Sequence, residues 1–74
     1  MWLIDVDGNA VNSSLVSKIF IIVYLNDAFE VKADIPDENN YFTLATFYEG
    51  TAEENRTAAI DFIKNLVDKL NKEG

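Results

Sequence analysis

The sequence predicts an α+β fold: an antiparallel β-meander of four to five strands, with one C-terminal helix packed on one face. Three observations predict it. Residues 28–35 alternate strictly, with Phe29, Val31, Ala33 and Ile35 on one face and Glu30, Lys32 and Asp34 on the other, the period of a half-buried strand. Just before it, Ile19-Phe20-Ile21-Ile22-Val23-Tyr24-Leu25 is an unbroken apolar and aromatic run, rich in β-branched residues. Beyond Gly50 the period changes to that of a helix: Ala59, Ile60, Ile63, Leu66, Val67 and Leu70 form one stripe, flanked by Phe62.

The elements follow in order. Residues 2–5, built on Trp2-Leu3-Ile4, predict a short strand. Asp7-Gly8-Asn9 is a turn signal, because glycine and asparagine tolerate positive φ and short polar side chains bond their own backbone. Residues 10–12 return as a second short strand, and Asn12-Ser13-Ser14 can cap one helical turn over Leu15 and Val16. The long strand spans residues 19–25. Asn26-Asp27 is a two-residue hairpin loop lacking the usual glycine, and residues 28–35 return antiparallel. Pro36 ends that strand, since it has no N–H to donate. Asp37-Glu38-Asn39-Asn40 is a polar loop, residues 41–48 form a strand of mixed faces, and Glu49-Gly50 breaks it. The helix covers residues 51–71. Thr51 and Glu54 have the spacing of a capping box, Glu53 and Glu54 lie at the positive end of the helix dipole, and Lys69 and Lys72 lie near the negative end. Arg56 falls at the start of the stripe, where its stem can pack and its head reach a carboxylate.

Composition bounds the function. Residues 1–74 make a single domain, 49% hydrophobic, which is enough for a compact core. Cysteine and histidine are both absent, which removes thiolate chemistry and the commonest general base and metal ligand. The N-terminal residues do not have the form of a signal peptide, and the longest apolar run is far short of a membrane span. The expectation is a cytoplasmic protein with no membrane contact. Net charge is −7. Residues 1–55 carry ten acids against Lys18 and Lys32, a balance of −8, while residues 56–74 carry four bases against three acids, a balance of +1. Such a surface repels phosphate, so direct nucleic-acid binding is not expected.

No motif carries a reaction. Asp5-Val6-Asp7-Gly8-Asn9 has the opening of an EF-hand loop, but Ala10 and Val16 stand where that loop needs glycine and a bidentate glutamate. The adjacent acids Asp37-Glu38 and Glu53-Glu54 are neighbours in sequence, not carboxylates facing each other across a cleft. Ser13, Ser14 and Ser17 have no histidine to activate them, and no glycine-rich loop is present to cradle a phosphate. Catalytic residues, metal ligands and cofactor-binding residues are therefore all read as none, and the protein as non-enzymatic.

The surplus of apolar side chains is the remaining signal. With Asn26-Asp27 as the loop, Tyr24 faces Phe29, Ile22 faces Val31 and Phe20 faces Ala33, forming the bed for the helix. Val23, Ile21 and Ile19 then look outward beside Glu30, Lys32 and Asp34. Either Trp2 or a loop covers that row, or Ile19, Ile21 and Val23 join Tyr41 and Phe47 in a patch that buries against a second subunit, the homodimer being the commonest assembly. The expected function is an interaction or accessory protein that self-associates through its sheet, with another protein as a possible partner. The alternative is an acidic decoy that occupies the basic site of a nucleic-acid-binding protein, favoured if Asp27, Glu30, Asp34, Asp37 and Glu38 cluster.

The Trp2-Leu3-Ile4 start, the Asp7-Gly8 turn, the Leu15…Ile19 entry to a strand and the Thr51…Glu54 helix with Ile63, Leu66 and Leu70 resemble a loose set of small bacterial and phage single-domain proteins of uncharacterised role. That resemblance implies a β-meander followed by one helix. It lends no functional residues.

Overall fold

The computed structural model describes residues 1–36 and 40–73. Five strands and one long helix follow one another: β1 (Trp2–Ile4), β2 (Ala10–Asn12), β3 (Lys18–Val23), β4 (Phe29–Ile35), β5 (Asn40–Phe47) and α1 (Ala52–Glu73). All pairings are antiparallel, and the strands divide into a two-stranded ribbon, β1-β2, and a three-stranded sheet in the order β3-β4-β5. The α+β fold is thus as expected, with the meander split into two sheets. The polar loop expected at Asp37-Glu38-Asn39 lies outside the described residues.

The ribbon turns through Asp5–Asn9. Gly8 takes φ +87°, a backbone that L side chains rarely adopt. The Asp5 carboxylate fixes the turn: its Oδ1 accepts from the amides of Asp7 at 2.9 Å and Asn9 at 2.8 Å. Burial pushes the Asp5 carboxyl pKa up, but the donors from Asn9, Asp7 and Gly8 together outweigh it and hold the pKa below its ordinary value. After β2, Asn12 accepts from the Ser14 amide at 3.1 Å and caps a single 3-10 turn, Ser13–Leu15.

β4 is the centre of the sheet, and its alternation is complete: Phe29, Val31, Ala33 and Ile35 are buried while Glu30, Lys32 and Asp34 are half-buried. These four join Leu3, Val11, Leu44 and Ala59 in the core, with Val31 and Ala33 wholly excluded from solvent. Burying each large aliphatic or aromatic side chain contributes roughly 1.5–3 kcal/mol.

The β3–β4 register differs from the expected one. Ile19 pairs with Ala33, Ile21 with Val31 and Val23 with Phe29, while Phe20 pairs with Lys32 and Ile22 with Glu30. The cause is the loop. Tyr24 donates to the Ala28 carbonyl at 2.9 Å, and Asp27 donates back to Tyr24 at 3.0 Å, so three residues, Leu25-Asn26-Asp27, make the connection. Asp27 takes the left-handed conformation, φ 63°, that closes such a loop. One extra loop residue slides β3 by one position, and a slip of one exchanges its two faces.

β5 carries a bulge. Val31 pairs with Ala45 and Lys32 with Thr43, leaving Leu44 as the extra residue. Phe42, Leu44, Ala45 and Phe47 thereby all reach the core side, which accounts for the mixed faces seen in the sequence.

α1 begins as its capping box predicts: Thr51 N–H donates to Glu54 Oε1 at 2.9 Å, and Glu54 N–H donates to Thr51 Oγ1 at 3.1 Å. Ala59 is buried, and Phe62, Ile63 and Leu66 pack against the core, with Phe62 edge-on to Phe47 at 6.1 Å between ring centres. Arg56 is exposed and forms no ion pair among the described residues. Asn55 takes the buried place instead.

Candidate interaction surface

The sheet has one face under the helix and one face open. With the observed register, the open face presents Lys18, Phe20 and Ile22 from β3, Glu30, Lys32 and Asp34 from β4, and Tyr41, Thr43 and Thr46 from β5. Its polar groups satisfy one another. The Tyr24 hydroxyl donates to Glu30 Oε1 at 2.6 Å, Thr46 Oγ1 donates to Glu30 Oε2 at 3.3 Å, and Lys32 Nζ sits 3.2 Å from Glu30 while donating to Thr43 Oγ1 at 2.6 Å. The Tyr24 hydrogen bond, helped by Lys32 and Thr46 and opposed by partial burial, holds the Glu30 carboxyl below the ordinary glutamate range. The same bond, with partial desolvation and the nearby negative charge, pushes the Tyr24 phenol up. Beside this network the rings of Phe20 and Tyr41 meet edge to face at 5.1 Å, and Lys18 Nζ lies 4.9 Å from the Phe20 ring centre.

The residues expected to form one outward patch are therefore dispersed. Ile19 and Ile21 are on the helix side and pack against the core, as does Phe47. Val23 shares their face but extends past the core and is 59% exposed. Tyr41 is on the open face, 57% exposed. Trp2, 64% exposed, covers none of the open face; it lines a groove with Leu44, Phe62 and Leu66 instead.

What unites the β3 residues is the edge they lie on. β3 borders the sheet, with no strand bonded to its outer side among the described residues. Since the Tyr24 amide points inward to Ala28, the alternation of antiparallel bonding turns the amides and carbonyls of Phe20 and Ile22 inward too. Those of Ile19, Ile21 and Val23 then point out of the sheet. The opposite edge is guarded. β5 is bulged, and its Thr43 carbonyl accepts from the Val6 amide at 2.8 Å. β3 has no bulge, no proline and a single lysine at its start.

Beside this edge, a groove of 250 Å³ runs between the start of β3 and the C-terminal half of α1, lined by Leu3, Val16, Ile19, Ile63, Val67 and Leu70 among others. A second concavity, 460 Å³, lies along Glu53, Glu54, Thr57, Ala58 and Asp61, all from one helix, so among the described residues no second element faces those carboxylates. Among the described residues no group of three or more acids comes together as a metal site, and the Asp5 carboxylate is spent on its own turn. No helix among them is long and apolar enough to cross a membrane.

Comparison with protein-family models, with curated proteins and with solved structures gave no match.

Proposed function

We propose that this is a small, non-enzymatic, cytoplasmic interaction protein that self-associates through its sheet, along the free edge of β3. The observation that carries the reading is the state of that edge: a strand apolar on both faces, with outward backbone groups that no strand pairs among the described residues and none of the devices that protect the other edge. Unpaired edge groups favour main-chain pairing, and the apolar side chains favour removal from water. The acidic-decoy reading asks for free carboxylates gathered on one surface. Of the acids that reading names, Glu30 is engaged by Tyr24, Lys32 and Thr46, Asp34 accepts from Ser17 Oγ at 3.3 Å, and Asp37 and Glu38 lie outside the described residues.

Two short strands bury less than about 1,200 Å² in total, the range of weak and transient complexes, so micromolar association is expected. Light scattering over a concentration series tests it: the mass rises toward that of a dimer at high micromolar concentration. Val23→Pro removes an outward-pointing amide without touching the β4 ladder, a position where an edge strand tolerates proline. That variant keeps its fold by circular dichroism and stays monomeric. A wild-type protein that remains monomeric throughout, or a Val23→Pro variant that dimerises normally, overturns the reading.

A further inference from the structure

We infer that the partner is a second copy of this chain, paired antiparallel to β3 about a two-fold axis at Ile21. This rests on the self-association proposed above and specifies its register. The strand offers three outward residues, Ile19, Ile21 and Val23, for pairing. When Ile21 meets the partner's Ile21, Ile19 meets the partner's Val23 and Val23 meets the partner's Ile19. Every outward amide and carbonyl of both strands is then used. A slip of two positions one way sets Val23 against the partner's Ser17, whose amide already donates to Asp34 at 2.9 Å. A slip the other way sets Ile19 against the partner's Leu25, inside the hairpin loop.

Side chains select the same register. On the helix face, Val23 comes to lie beside the partner's Ile19, at the groove lined by Ile19, Ile63, Val67 and Leu70. It thereby covers two side chains left largely exposed, Val23 and Val67. On the open face, Phe20 lies across from the partner's Ile22, extending the apolar row. Lys18 lies across from the partner's Tyr24, whose hydroxyl is bound to Glu30. The one charge on β3 is thus set beside a hydroxyl that a carboxylate holds, and not against another cation, since Lys18 is the only charged residue of the strand.

Cysteine cross-linking reads the register directly, because the chain contains no cysteine of its own. Phe20 and the partner's Ile22 form a non-hydrogen-bonded pair with Cα atoms about 4.5 Å apart, within reach of a disulfide. A mixture of Phe20→Cys and Ile22→Cys chains, oxidised at high micromolar concentration, gives mostly the mixed disulfide, and neither variant alone cross-links. Lys18→Cys mixed with Tyr24→Cys behaves the same way and guards against a misfolded first pair. Cross-linking of Phe20→Cys or of Ile22→Cys with itself signals a slipped register and overturns this inference while leaving self-association intact. A dimer by light scattering with no cross-link in either mixture places the contact elsewhere and also overturns it. A monomer by light scattering overturns both this inference and the reading beneath it.

Discussion

The side-chain amide of Asn55 ties the helix to the sheet. Its Nδ2 donates to the Asp27 carbonyl at 3.0 Å and to the Gly50 carbonyl at 3.2 Å, and its Oδ1 accepts from the Gly50 amide at 3.0 Å. The residue is buried, so each bond is formed away from competing water. Gly50 permits the approach: a Cβ there would stand 3.0 Å from Glu54 Cβ and 3.3 Å from Asn55 Oδ1. Asn55→Ala leaves those backbone groups without partners and is expected to destabilise the fold by about 1–3 kcal/mol. Urea unfolding with an unchanged m-value checks this; a loss below about 0.5 kcal/mol contradicts the role assigned to Asn55. Asn55 does not stand out in the sequence because it is polar, although it extends the helical stripe backwards from Ala59 by one turn. Arg56, its neighbour, has the long apolar stem that suits a stripe's edge. The hydrogen bonds available to an amide decided otherwise.

Among the elements, those whose two faces differ in polarity were legible. β4 alternates cleanly, and its buried face is the one its sequence marks. α1 starts at its capping box and buries the middle of its stripe. β3 was not legible in the same way, since Ile19–Leu25 is apolar on both sides and either register buries a greasy face. Only the loop could decide, and Leu25-Asn26-Asp27 closes with Asp27, not glycine, at the left-handed position. Aspartate adopts that backbone less readily than glycine, so the longer loop has no glycine to mark it. The bulge at Leu44 is similar: the strand was visible and its change of face was not. These two irregularities place Ile19, Ile21 and Phe47 against the core, not in an outer patch, and leave the edge of β3 as its exposed feature.

For the whole molecule, three carboxylates couple stability to pH. Glu30 is held low chiefly by the Tyr24 hydroxyl and Glu54 chiefly by the Thr51 amide; at Asp5 burial pulls the other way, and the turn's donors prevail. A depressed folded-state pKa means the unfolded chain binds protons more readily. The stabilisation is present above the ordinary carboxylate range and is lost as pH falls through the folded values. The melting temperature is therefore expected to hold between about pH 6 and 8 and to fall below about pH 4. Glu30→Gln removes part of that acid dependence. The raised Tyr24 phenol has the opposite sign: its contribution is lost as pH rises past the ordinary tyrosine range. A melting temperature unchanged on acidification contradicts the account of these carboxylates. At this scale the sequence made the α+β class and the order of parts plain, because they rest on periodicity. It did not show that the ribbon Trp2–Asn12 leaves the meander as a separate sheet, since strands of three residues carry too little pattern to fix their neighbours.

The pairing proposed for the outer edge of β3 places Ile19, Ile21 and Val23 against the same residues of a second copy. Amide hydrogen exchange, followed residue by residue at low and high protein concentration, tests it most directly. Phe20, Ile22 and Tyr24, bonded inward to β4, are protected at both concentrations and serve as the internal reference. If β3 edges pair, Ile19, Ile21 and Val23 exchange rapidly when dilute and become protected together as concentration rises. Exchange at those three amides that is equally fast at every concentration would contradict it.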